Sequence, residues 1–307
     1  MITSIFNKSK SINFIIVFFI AFLAFVIAKI NEVNETVGFG FIVKQIGILF
    51  IIYASILLLN FILSKNSLTK KNNYEMLLFS LFLLFITQTT SYTNVIVSNF
   101  FVLLGIRRII SLQSQKNVKK KLFDASSWIA IAALFYFWSF LFFALILIAL
   151  ILYADNNIRH WIIPFLGVLT IFAISVSVSI ILYDNYFELL DTSFQISYDF
   201  TNYNSTKYLI AITLLLSFGI WSSMFYLKNI KKKKKVSRAS FKIIIIAAII
   251  AFLIVLHVPE KNGSEFLFLF APLAIIITNY IEIIQEKWFK EVFFSVLVIT
   301  PFVLLLL

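Results

Sequence analysis

The stretch SWIAIAALFYFWSFLFFALILIALILY, residues 127–153, carries no charged side chain from end to end. A helix of about 20 apolar residues crosses the roughly 30 Å hydrocarbon core of a bilayer, so a run of this kind belongs in a membrane. Its flanks decide how it lies there. Lys119, Lys120 and Lys121 precede it and Arg159 follows it. Short loops rich in Lys and Arg stay cytoplasmic, so both flanks ask for the same side and one crossing cannot satisfy both. The run is therefore expected to fold back as a hairpin of two short helices, with its turn near Phe137, Trp138 and Ser139 close to the outer side. Arms of roughly 12 and 15 residues, at 1.5 Å rise each, do not comfortably span a bilayer. Such arms are tolerated when they are buried in protein or line a cavity.

Outward from the hairpin, apolar runs recur at 11–30, 43–63, 74–90, 94–112, 161–183, 208–227, 242–257, 265–284 and 289–307. Backbone amides cannot stay unpaired in lipid, and unbroken apolarity without alternation excludes a β-barrel. The expected fold class is an all-α, polytopic transmembrane helical protein. It has about nine full spans plus the 127–153 hairpin, in one transmembrane domain over 1–307. With 61% hydrophobic and 13% charged residues, the chain leaves no stretch for a separate soluble domain. The absence of cysteine removes disulfides, thiolate metal sites and cysteine nucleophiles together. A bias to Ile, Phe, Lys and Asn looks like an AT-rich bacterial genome. Residues 1–10 form a basic flank, but the apolar stretch behind them is long and no small-residue cleavage site follows, so a retained first span is expected.

Charge sets the topology. Lys8 and Lys10, Lys65 to Lys71, the loop 107–121 and the loop 228–242 with its run Lys231 to Lys235 are read as cytoplasmic. Of the 26 basic residues, all but Lys29, Lys44, Lys207 and Lys261 then lie inside, and the net charge of +12 follows from topology. The expected location is a bacterial inner membrane, with the N-terminus cytoplasmic and the C-terminus periplasmic. The lysine run could bind anionic membrane lipid. Without an aromatic platform or second basic face, nucleic acid is not expected as a partner.

Charges near lipid usually face a cavity or a partner, so the outward polar residues are the place to look for function. Glu32 and Glu35, between Lys29 and Lys44, suit a carboxylate base at a cavity mouth, though they also read as an ordinary charged loop. In the outer loop 184–207, Asp184, Glu188 and Asp191 fall on one face of an expected interfacial helix, with Phe187, Leu190 and Phe194 opposite. That acidic face could gather a divalent cation or line a substrate groove, or could simply be solvated. His257, Glu260, Lys261 and Glu265 form the densest ionisable knot on the outer side, equally readable as a capped helix start. The belt from Thr87 to Asn94 is rich in hydroxyls and reads first as a turn. No phosphate-binding loop, dinucleotide fingerprint or zinc motif is present, and His160 and His257 are expected on opposite sides. No span carries the buried charges of a proton relay or voltage sensor, which disfavours a pump or channel.

Residues 119–164, KKKLFDASSWIAIAALFYFWSFLFFALILIALILYADNNIRHWIIP, resemble the central part of the GT-C class of membrane glycosyltransferases. Residues 257–277, HVPEKNGSEFLFLFAPLAIII, are similar to the late outer loop of that class. The resemblance implies a polyprenyl-phosphate-linked sugar donor and an outward-facing site, with Glu32 or Glu35 as base and Lys261 meeting the lipid phosphate. Two departures stand beside it: the first outer loop is short and offers Glu in place of Asp, and no arginine lies outside. The whole chain also looks like an uncharacterised family of polytopic inner-membrane proteins from Bacteroidota. The competing expectation is a non-catalytic membrane subunit that holds an inner-membrane protein partner of an envelope assembly complex. A lipid or small-solute transporter comes third.

Overall fold

The computed structural model describes residues 2–30, 38–153, 157–186 and 195–306. Among them there is no strand. In chain order the helices are α1 (Ile2–Phe6), α2 (Ser11–Ile30), α3 (Phe39–Asn66), α4 (Tyr74–Phe85), α5 (Thr93–Ser111), α6 (Val118–Phe135), α7 (Phe143–Leu152), α8 (Ile158–Tyr183), α9 (Thr206–Ile230), α10 (Lys235–His257), α11 (Leu267–Ile283) and α12 (Lys287–Leu304). Seven helical stretches are long and apolar enough to cross a membrane, and exposed Phe50, Leu169, Ile220 and Ile299 give the bundle an apolar rim. The protein is an all-α, polytopic membrane protein.

The hairpin is present, with its chain reversal at Tyr136, where extended backbone (φ −149°, ψ 102°) ends α6. A 3-10 segment, Phe137–Phe142, then leads into α7. The two ends of the hairpin share a neighbourhood. Lys121 Nζ donates to Ser111 O at the end of α5, and Tyr153 OH lies 3.3 Å from Ile110 O and 3.0 Å from Ser240 Oγ. At the opposite end Tyr136 stacks on Phe268, ring centroids 5.6 Å apart.

The arms are longer than expected. α6 starts at Val118, taking in Lys119 to Lys121, and its 18 residues rise about 27 Å. The second arm combines six 3-10 residues with ten α-helical ones, also about 27 Å. Lysines at the foot of α6 break the apolar pattern without breaking the helix, because their long stems can keep the ammonium groups in water.

The centre of the core is a short helix. α4 has 12 residues, about 18 Å, and every one is buried, by α2, α3, α11 and α12. It stops at Ile86 and passes into a 3-10 turn, Thr87–Thr90, whose threonines point inward. Thr89 Oγ1 donates to Ile86 O and Thr90 Oγ1 to Thr87 O, each at 2.7 Å. Two of the belt's six hydroxyls therefore serve carbonyls at the point where a helix ends in an apolar interior. α11, with Pro272 inside it, runs beside α4, and Phe270 meets Phe79 and Phe82.

Residues 2–6, read from sequence only as a flank, form a helix that docks on α12. Phe6 is buried, Tyr74 OH donates to Thr3 O, and Thr3 bonds the Glu291 carboxylate. Charge divides between the two ends of the bundle. Lys29, Lys44, Lys207 and Lys261 gather at the hairpin-tip end, while the segments carrying Lys65, Arg107, Arg108, Lys121 and Lys233 meet at the other.

Candidate functional site

At the tip end three segments distant in sequence close around one cleft of about 550 Å³. The polar belt supplies Ser91, Tyr92, Thr93 and Asn94, the hairpin supplies Tyr136 and Trp138, and the loop before α11 supplies Glu260, Asn262 and Ser264. Lys44 from α3 also lines it. Lys44 and Glu260 are the charged lining residues; the rest are rings, hydroxyls and amides, with Val95, Val258 and Pro259 between them.

The loop from Val258 to Gly263 is held rigidly, and Lys261 does most of the holding. Its side chain is 1% exposed, and its Nζ donates to Ser197 O (2.9 Å), Leu256 O (2.9 Å) and Val258 O (2.8 Å). The ammonium also lies 4.7 Å from the centre of the Phe200 ring. Three carbonyls exhaust its three protons. Burial pulls its pKa down, and the nearby Asp199 charge pushes back.

Gly263 turns the chain at φ +92°, and a Cβ there would stand 2.7 Å from Tyr208 Oη. That hydroxyl is fixed by donating to Asn262 O at 2.9 Å. His257, whose Nδ1 lies 2.8 Å from Leu253 O, packs between Trp138 and Tyr198 at 6.4 and 5.7 Å. Glu265 is fully buried behind the loop, at the start of the α11 span.

Asp199 anchors the chain that approaches this loop. It accepts from the Thr201 amide at 2.9 Å, and that bond, with the Thr201 hydroxyl and the Lys261 charge, holds its carboxyl below the usual 3.8. A depressed folded-state pKa contributes stability above the unfolded value and loses it as pH falls through the folded one. Hydrogen exchange at the Thr201 amide is expected to accelerate as pH drops below 3.8, once the intrinsic pH dependence of exchange is subtracted. Asp199→Ala should show the accelerated value at neutral pH and lose the pH dependence.

Of the residues singled out from sequence, Glu260 and Lys261 lie in this loop and His257 and Glu265 flank it, but of the four only Glu260 lines the cleft. Asp184 is the C-cap of α8, in the left-handed region at φ 53°. Glu32, Glu35, Glu188 and Asp191 lie outside the described residues, as does most of the expected interfacial helix. Among the described residues no group of three His, Asp or Glu could hold a metal ion. Lys44 and Asn262 carry no mark in the sequence that points them to this cleft, whereas the aromatic cluster around the hairpin turn was such a mark for Tyr136 and Trp138.

Fold and cleft together define a polytopic helical membrane protein with a polar and aromatic cavity at one end of its bundle. The chain belongs to a family of unknown function, DUF6427, whose model matches residues 1–306. No curated protein and no solved structure matches it.

Proposed function

We propose that the tip cleft receives a lipid-linked, hydroxyl-rich group of the sugar class. The charge division between the two ends supports a cleft on the outer side of a bacterial inner membrane, with the N-terminus cytoplasmic and the C-terminus periplasmic. One observation carries the reading: Tyr92, Tyr136 and Trp138 share a cavity of about 550 Å³ with Asn94, Asn262, Ser264, Lys44 and Glu260. Ring faces pack on the C–H face of a sugar while amides and hydroxyls bond its oxygens, and the volume fits a small saccharide.

As a GT-C-like glycosyltransferase using a polyprenyl-phosphate-linked sugar, the protein would work with roles shifted from those the sequence suggests. Lys261 is engaged by three carbonyls, so Lys44, which lines the cleft, would be the cation that meets a phosphate. Glu260, which lines it too, would act as base. It takes the acceptor hydroxyl proton, the acceptor oxygen bonds to the anomeric carbon, and the bond from that carbon to the phosphate oxygen breaks. The phosphate leaves with the electron pair, facing Lys44. The second reading, a non-catalytic membrane subunit of an envelope complex, is favoured by Lys261 and His257, since both serve the loop's own architecture.

Binding of a polyprenyl-phosphate sugar can be followed by quenching of tryptophan fluorescence, with Trp138→Phe as the control. Tyr136→Ala is expected to abolish it. Glu260→Gln should keep binding and lower transfer by about a hundredfold or more. Binding with transfer undiminished in Glu260→Gln removes the base, and absence of binding removes the sugar site and leaves the subunit reading. That reading then requires stable co-purification with another membrane protein.

A further inference from the structure

A second and larger cavity, about 820 Å³, lies at the opposite end of the bundle, and every charged side chain lining it is basic. Lys65 comes from the end of α3, Arg107 and Arg108 from α5, Lys121 from α6, and Lys233 and Lys234 from the link between α9 and α10. Four stretches of chain that are far apart in sequence thus deliver cations to one place. Like charges crowded this way raise the energy of the empty site, and each carries a solvation cost that an anion would offset.

Five of the six cations fall into two sets. Arg108 pairs with Asp124 at 2.9 Å, and Lys121 donates to Ser111 O and Ser114 Oγ, so these two are engaged by the protein. Three others are positioned by aromatic rings instead. Arg107 and Lys65 lie 4.6 and 5.3 Å from the centre of the Phe61 ring, and Lys233 lies 4.7 Å from that of Phe241. A ring face fixes a cation without consuming its N–H donors. Among the described residues none of these three head groups makes a hydrogen bond, so each presents charge and donors together. Gln113 and Ser237, themselves linked at 3.1 Å, add neutral polar groups to the wall.

We propose that this cavity is a binding site for a phosphate-bearing anion. An arginine with free N–H edges and flanking lysines are matched to the tetrahedral oxygens of phosphate, and basic pockets between membrane helices suit phosphorylated head groups. The volume exceeds that of a lone phosphate and suits a diphosphate or a phospholipid head group. The site is separate from the tip cleft and does not depend on what the cleft binds.

The test uses the full chain in neutral detergent, with thermal unfolding read against sodium pyrophosphate, dioleoylphosphatidylglycerol and, as the uncharged-net control, dioleoylphosphatidylcholine. Pyrophosphate or phosphatidylglycerol should raise the Tm saturably, and phosphatidylcholine should not. A response to both anions marks a general phosphate site, and a response to the lipid alone marks a head-group site. The triple variant Lys65→Gln, Arg107→Gln, Lys233→Gln should weaken the effective anion by about a hundredfold. Lys231→Gln with Lys232→Gln, which removes charge from the neighbouring chain but not from the cavity wall, should leave it unchanged. If the triple variant does not fold, Lys65→Gln alone at its exposed position should still weaken binding by roughly fivefold. No response to either anion, or equal weakening in the Lys231 and Lys232 control, overturns the proposal.

Discussion

Lys261→Met is expected to destabilise the protein by about 3 to 5 kcal/mol, because it removes the ammonium from three carbonyls for which no other side-chain donor is seen among the described residues. The stem of methionine replaces the aliphatic part of lysine closely, so packing is nearly conserved and the loss isolates the ammonium. Ser197 O belongs to the approach to the cleft, Leu256 O to the last turn of α10, and Val258 O to the loop itself. One side chain ties all three together, and without it the segment from 195 to 203 should lift from the bundle. Thermal unfolding in detergent should fall by roughly 5 to 10 °C, with faster hydrogen exchange confined first to that segment. Lys261→Arg should not rescue it, since a planar fork cannot reach three converging carbonyls as a rotating ammonium does. A Lys261→Met protein as stable as the wild type would show that the loop is held by something else and would return Lys261 to the list of groups available to a ligand.

Gly167→Leu should be comparably severe, for a steric reason. α8 packs chiefly on α6, and Gly167 lies in tight contact with that helix. A Cβ at this position would stand 2.0 Å from Ser126 Oγ, 3.1 Å from Ser126 Cβ and 3.0 Å from Phe123 O. The serine hydroxyl is itself held by Leu122 O and Phe123 O at 3.1 and 2.9 Å, so it does not simply rotate away. Between helices in lipid, small residues let close packing supply the attraction that water would otherwise drive. Gly167→Ala is expected to cost about 2 kcal/mol and Gly167→Leu more than that, with α8 separating from α6. The decisive measurement is the double variant. Ser126→Gly removes both serine contacts, so Gly167→Ala combined with it should be markedly more stable than the sum of the two single changes predicts. Simple additivity would place the tight contact elsewhere.

The same contact shows how far the sequence reaches. Gly167 sits in an apolar run and Ser126 in the basic approach to the hairpin, and nothing in either neighbourhood announces that they touch. Glu260 and Lys261 are adjacent and equally charged in magnitude, yet one opens on a cleft and the other is spent on carbonyls. Their difference arises from how the chain folds around Lys261, which takes two of its carbonyls from the turn just before it and the third from Ser197, more than fifty residues away. Thr89 and Asn94 divide in the same way, the first turned into the core to cap Ile86 and the second facing the cavity.

The all-α class, the multi-pass membrane character and the reversal near Phe137 were all determined by the sequence by itself, since each depends only on run length and on where charges fall along the chain. Those are one-dimensional quantities, and the cost of unpaired amides and misplaced lysines in lipid converts them directly into helices and turns. Tertiary structure alone decided the lengths of the hairpin arms, the central place of the short α4, the occupation of Lys261 and the convergence of basic side chains on one cavity. A polar group's role is set by the partner it finds, and in a bundle of similar apolar helices that partner is chosen by packing between elements that the linear order leaves far apart.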